Sequence, residues 1–229
     1  MAEPAHAPAV AAATEIDAVF VMADLSGFTA LTEAHGSLRA ADLVGRYLEL
    51  VRNALEPGVR LVERVGDEVV LVAAEAAPAL GTALTLRRAI EREPEFPLVR
   101  AGIHGGRVVE RGGEYFGTPL NVTARVTAHA RAGQLLCTAP IATAARGREG
   151  VELRALGPVR FKNVAGPVEV FEVVALGEAV VPAAIDPVCR MQVDPEGAPA
   201  RLIWNGTLQH FCSLECARRF LAAPEAHAP

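Results

Sequence analysis

The sequence predicts an α+β fold, a mainly antiparallel sheet with helices packed on one side, followed by a small cysteine-bearing module. Three observations point there. Strand-like and helix-like hydrophobic periods alternate in the order β-α-β-β-α-β-β-α-β-β as far as Val174. A β-forming run, Val19-Phe20-Val21, ends in Asp24 and turns through Leu25 to Thr29 into a helical pattern, and a later pair of apolar runs meets at Gly66-Asp67, a tight hairpin turn. After Val174 the composition changes, and three of the four cysteines follow residue 185, which reads as a local site rather than a disulfide framework.

A chain of 229 residues, 51% hydrophobic, can bury one sizeable core and a smaller appendage. Its net charge of -5 leaves no basic stripe to neutralise phosphates, which argues against nucleic acid or an anionic membrane as partner. No apolar run approaches the roughly 20 residues of a membrane helix, and the Ala-rich start lacks a basic leader, so the expectation is a soluble cytoplasmic protein.

Taken in order, Met1 to Thr14 is Ala/Pro-rich without a period and reads as a disordered arm. A strand leads to Asp24. Leu31, Leu43, Val44, Tyr47, Leu48, Val51 and Leu55 follow helical spacing, with a break expected near Gly36 and a stop at Pro57-Gly58. Val59 to Val65 and Val69 to Ala74 form the hairpin around Asp67. Pro78 to Glu93 reads as a second helix, ended by Pro94 and Pro97. Leu98 to His104 and Arg107 to Arg111 read as two strands parted by a turn at Gly105-Gly106, with Gly112-Gly113 as a further turn. Asn121 to Arg131 reads as helix, Leu135 to Thr138 as a short strand holding Cys137 in the core, and Val151 to Leu156 and Val168 to Val174 as late strands with Lys162 between them.

Five pieces, FVMADLSGFTALTE, VGDEVVLV, VRAGIHGGRV, EYFGTPLNVTARV and GPVRFKNVAGPVEVFEV, stand in an order and spacing that resembles the class III nucleotidyl cyclase homology domain of adenylate and guanylate cyclases, over residues 15–175. The resemblance implies a ferredoxin-like class III cyclase sandwich that works as a homodimer, with active sites shared across the interface. It implies that Asp24 and Asp67 hold two Mg²⁺ or Mn²⁺ ions, one activating the ribose 3′-hydroxyl and the other neutralising the triphosphate. Gly27, Phe28 and Thr29, at a helix N-terminus, are suited to cradle phosphate oxygens. Asn121 and Arg125 match the residues that orient the ribose and stabilise the transition state, and their i, i+4 spacing puts both on one helix face. Lys162 matches the lysine that grips the terminal phosphates.

At the positions that read the purine the resemblance departs from both family patterns. They fall on Glu63 and Glu114 here. Glu63 suits guanine N1–H and N2–H₂, but a carboxylate at 114 faces guanine O6, an acceptor; for adenine, Glu114 can accept from the N6 amino group while Glu63 offers N1 no donor. Taken singly, each site residue also has a structural role open to it: Asp24 as a helix cap, Asp67 as a turn residue, Asn121 as a cap, Arg125 and Lys162 as solvated charges.

Residues 176–185 read as a linker. Beyond it Cys189, Cys212 and Cys216 are spaced so that the last two lie one helical turn apart, with Ser213 placed to cap that helix. Asp186, Pro187, Val188, Cys189, Met191, Gly206, Phe211, Cys212, Ser213, Cys216 and Phe220 resemble a YHS domain, here 186–226, a TRASH-type and treble-clef-like module linked to heavy-metal handling. Arg190 stands where that family usually has glycine. Three thiolates suit Zn²⁺ or another soft metal, with His210, two residues before Cys212, as the nearest fourth ligand; reduced packing cysteines without a metal are the other reading.

Two functions follow. One is a cyclase converting a purine nucleoside triphosphate, ATP on family grounds with GTP as the other candidate, to its 3′,5′-cyclic monophosphate and pyrophosphate, with a regulatory metal-binding module attached. The alternative is a catalytically inactive cyclase-like nucleotide-binding scaffold in a metal-sensing or interaction protein.

Overall fold

A computed structural model describes residues 12–176 and 184–227. Most of the expected arm and linker therefore lies outside the described residues. Twelve strands and five α-helices follow: β1 (Ala13–Leu25), α1 (Phe28–Ala54), β2 (Arg60–Val65), β3 (Glu68–Ala73), α2 (Ala76–Glu91), β4 (Val99–Arg111), β5 (Glu114–Phe116), α3 (Thr118–His129), β6 (Leu135–Thr138), α4 (Ala139–Ala145), β7 (Val151–Arg160), β8 (Pro167–Ala175), β9 (Ala184–Ile185), β10 (Gln192–Val193), β11 (Ala200–Trp204), β12 (Thr207–Phe211) and α5 (Leu214–Ala222). β1 to β8 form one eight-stranded sheet in the order β2-β3-β1-β4-β6-β8-β7, with β5 paired to β4. Every pairing is antiparallel except β4 with β6.

β1 shows why the sheet sits where it does. Val19, Val21, Ala23 and Leu25 face a core shared with α1, α2 and α4, whereas Ala18, Phe20 and Met22 face a second cluster that includes Leu120 and Ala124 of α3. The expectation of helices on one side is thus corrected: α3 covers the other face. A run apolar at every position, as here, is what a strand buried on both faces requires.

β4 corrects a second expectation. Gly105 and Gly106 make no turn; they pair with Val19 and Ala18 inside a continuous strand. The missing side chains at Gly102 and Gly106 serve α3. A Cβ at Gly102 would lie 2.5 Å from Thr127 Oγ1, and one at Gly106 would lie 3.0 Å from Pro119 Cγ, so bare backbone lets the helix lie close on the strand. Thr127 then donates to Met22 O at 3.3 Å. Two smaller differences remain. Ala13 and Thr14, expected in the arm, pair with Arg111 and Glu110. α4 was not expected, because Ile141 is the sole large side chain in a stretch of alanines and has no partner to set a period.

α1 breaks at Gly36 (φ 82°, ψ 165°), as its sequence predicts. The first segment, 28–35, ends in His35. The C-terminal module packs against this segment and the α2–β4 connection. Gln192 is 6% exposed: its amide donates to Ile90 O (2.9 Å) and Phe96 O (3.2 Å), and its backbone N–H donates to Phe96 O (3.0 Å). Phe96, Val188, Cys189, Met191 and Phe211 share one buried cluster, so the module and the sheet domain have a continuous core.

Candidate functional sites

Asp24 stands at the end of β1, opposite Arg100 on β4. Arg100 grips one carboxylate oxygen through Nε (2.8 Å) and Nη2 (2.5 Å). Asp67 lies in the β2–β3 turn beside Asp24, and the carboxyl is pushed up to about 7 by burial and by its hydrogen bond and charge contact with Asp24. Burial and Asp24 also raise Glu68, which Arg100 partly offsets. Two neighbouring carboxyl groups in a half-buried site form a donor set that a hard divalent cation can satisfy. Ser26, two residues after Asp24 in the chain, has a buried Oγ with no hydrogen-bond partner, a further oxygen that such a group could use. The residues therefore fit Mg²⁺ or Mn²⁺, with Arg100 as the counter-charge that must share Asp24.

The turn leading from Asp24 begins α1. Gly27 (φ 80°) precedes Phe28 and Thr29, whose N–H groups open the helix with no side-chain cap. Only a residue tolerant of the left-handed region fits at Gly27, and Arg190 of the module lies directly against it: an added Cβ would collide with Arg190 Cβ and Cγ.

Glu63 on β2 and Glu114 on β5 line one cleft of about 360 Å³, together with Val62, Val70, Tyr115 and Phe116; no cationic side chain is among its lining residues. The structure thus brings together the two positions that sequence reasoning placed at the purine. Asn121 and Arg125 are exposed on α3, and Lys162 is exposed in the β7–β8 loop. Cys137 is a core residue whose thiol burial pushes up to about 12.

In the module, Asp186 is fully buried and organises the cysteines. Its Oδ1 accepts from Val188 N (2.8 Å) and Cys189 N (3.2 Å), and its Oδ2 accepts from Cys212 N (2.8 Å). Ser213 caps α5 by accepting from Cys216 N at 3.1 Å, as expected. The imidazole that completes the cluster is His35, not His210. Cys189, Cys212, Cys216 and His35 offer ligand atoms all within 4.8 Å of one another. His210 lies inside β12, paired opposite Arg201, and the chain leaves the strand at Cys212, so the alternation that links residues two apart stops before it can bring His210 to the sulfurs. Hydrogen bonds from Cys189 and Cys212 hold the Cys216 thiol well below its ordinary range, while contact with Cys212 and Cys216, then burial, pushes Cys189 up. Sequence reasoning missed Arg100 and His35, each distant in the chain from what it touches.

A family model of the YHS domain matches residues 184–229. Over 154 residues the chain is 37% identical to the pH-sensitive adenylate cyclase MT1302 of Mycobacterium tuberculosis, which is 66% of this chain and 39% of that protein. Over 106 residues it is 36% identical to an adenylate cyclase of Streptomyces griseus, 46% of this chain and 27% of that one. The match thus spans well under half of each of these relatives. Among solved structures, the adenylyl cyclase CyaB from P. aeruginosa superposes with a TM-score of 0.65 at 20% identity, over 74% of this chain and 99% of that one. An adenylate/guanylate cyclase/hydrolase from Silicibacter pomeroyi does so at 0.61 and 25% identity, over 71% and 99%. By sequence and by fold, the N-terminal part of this chain is a class III adenylate/guanylate cyclase homology domain, and a YHS domain follows it.

Proposed function

We propose that the chain is a homodimeric nucleotidyl cyclase that converts a purine nucleoside triphosphate, ATP before GTP, to the 3′,5′-cyclic monophosphate and pyrophosphate. The observation that carries this is the pairing of Asp24 with Asp67, next to an uncapped helix N-terminus. Two Mg²⁺ or Mn²⁺ ions held by these carboxylates would supply activation of the 3′-hydroxyl and charge neutralisation on the phosphates. The backbone N–H groups at Gly27, Phe28 and Thr29 bind phosphate oxygens. Asn121 orients the ribose, Arg125 spreads positive charge over the α-phosphorus as the 3′-oxygen attacks and the α–β bridge breaks, and Lys162 holds the departing pyrophosphate. Val65, at the end of β2, and Phe116, in the cleft lining, leave large apolar side chains 63% and 52% exposed, a surface suited to a second copy. ATP is favoured because relatives over this stretch are named adenylate cyclases and Glu114 can accept from the adenine amino group. The YHS domain serves as a metal-binding regulatory attachment.

A second reading, a nucleotide-binding scaffold without turnover, draws on the two carboxylates and absent cation in the cleft and on the hold of Arg100 on Asp24. Purified protein incubated separately with ATP and GTP, with Mn²⁺ or Mg²⁺, and analysed by mass for cyclic nucleotide separates them. Turnover that Asp24→Ala and Asp67→Ala each abolish supports the enzyme. A folded dimer that turns over neither purine overturns it.

A further inference from the structure

We propose that His35 of the cyclase domain and Cys189, Cys212 and Cys216 of the YHS domain form one tetrahedral Zn²⁺ site that latches the two domains together. This rests on the reading that the three cysteines bind metal, and it adds that the fourth ligand comes from the other domain. A tetrahedral zinc with Zn–S of ~2.3 Å and Zn–N of ~2.0 Å separates its sulfurs by ~3.8 Å and sulfur from nitrogen by ~3.5 Å. Here Cys189 and Cys212 Sγ are 3.4 Å apart, Cys212 and Cys216 Sγ 3.7 Å, and His35 Nε2 stands 3.5 Å from Cys212 Sγ and 3.7 Å from Cys216 Sγ. The four cysteines of the chain are all free thiols, so no disulfide competes for these sulfurs.

Each ligand is held independently of a metal. The Asp186 carboxylate fixes the backbone at Cys189 and Cys212, the Ser213 cap fixes Cys216, and His35 is set by the segment of α1 that ends at the Gly36 kink. Arg219 donates to Glu33 O at 2.7 Å, two residues before His35, so the module and this segment already meet in the right register. Three thiolates and one neutral imidazole form a soft donor set that favours zinc over Mg²⁺, and binding releases thiol protons to solvent. The segment that zinc pins, 28–35, follows directly on Gly27, against which Arg190 packs. The site is therefore placed to tie metal occupancy to the turn that holds the phosphates.

The test uses the full chain, reduced, with Zn²⁺ and with Co²⁺ as a spectroscopic probe. One Zn²⁺ should bind per chain, and Co²⁺ should give thiolate-to-metal and tetrahedral d–d absorption. His35→Ala should weaken Zn²⁺ by at least about tenfold and alter the Co²⁺ spectrum, since losing a ligand costs no less than losing a supporting partner. His35→Cys should restore binding, which separates ligand loss from misfolding, and His210→Ala should behave as wild type. Zn²⁺ should also slow amide exchange over 28–35 in wild type but not in His35→Ala. If His35→Ala binds with wild-type affinity and spectrum while Cys212→Ala does not bind, the metal belongs to the module alone and the latch is wrong. If reduced wild type binds no Zn²⁺, both the latch and the metal-binding reading fall.

Discussion

Replacing Asp186 by Ala removes a side chain that is not itself one of the four clustered sulfur and imidazole ligands, yet it should undo the module. The carboxylate is fully buried and accepts from three backbone N–H groups, at Val188, Cys189 and Cys212. Among the described residues those donors, two in the connection after β9 and one between β12 and α5, have no second acceptor. A stranded buried donor costs about 1–3 kcal/mol, so three give a loss of at least about 3 kcal/mol, or about 2 kcal/mol if water reaches one of them. The chain has a single tryptophan, Trp204, whose ring meets Phe220 edge-on at 5.6 Å, so its fluorescence reports unfolding of the module itself. Urea titration of the metal-free protein, followed at Trp204, should show Asp186→Ala unfolding at a clearly lower midpoint. Asp186→Asn should be only a partial rescue, because its amide can present an oxygen to Val188 and Cys189 but then turns a donor toward Cys212 N–H. A loss below about 1 kcal/mol in Asp186→Ala would refute the idea that this carboxylate organises the cysteine loops.

Gly27→Ala should destabilise the chain by about 1–3 kcal/mol through its left-handed backbone, and more through collision with Arg190. Arg190→Gly, also at positive φ (66°), should relieve that collision, so thermal unfolding of the double variant should show positive coupling. Additive effects would mean the module does not rest on this turn. Asp67 supplies a pH prediction for metal-free protein. Its folded carboxyl sits at about 7 against an ordinary 3.8, so the folded state keeps a proton that the unfolded chain loses, and the stability this confers is present below about pH 4 and lost as pH rises through 7. Asp67→Asn should gain stability relative to wild type across that window in chelator. A wild-type advantage that grows with pH would overturn the pairing with Asp24.

Much of this was legible in the chain, for a physical reason that differs from element to element. Local chemistry fixed the helix break at Gly36, the hairpin at Asp67 and the Ser213 cap, because each depends on neighbours in sequence. The motif order likewise identified the cyclase homology domain and the YHS domain that followed it. What depends on contact between distant strands was not readable. Gly105-Gly106 looked like a turn because a glycine pair gives the same signal whether it bends the chain or admits a helix against a strand, and only the packing of α3 decides. Arg100 met Asp24 across a strand pairing, and no spacing along the chain announces a register. His210 was the nearer imidazole in sequence, but His35 is the nearer in space. The sequence by itself determined which chemical groups this protein has and the short-range geometry of each. Tertiary structure decided which of them meet, because burial and sheet register, rather than separation along the chain, set the distances at which charges and sulfurs act.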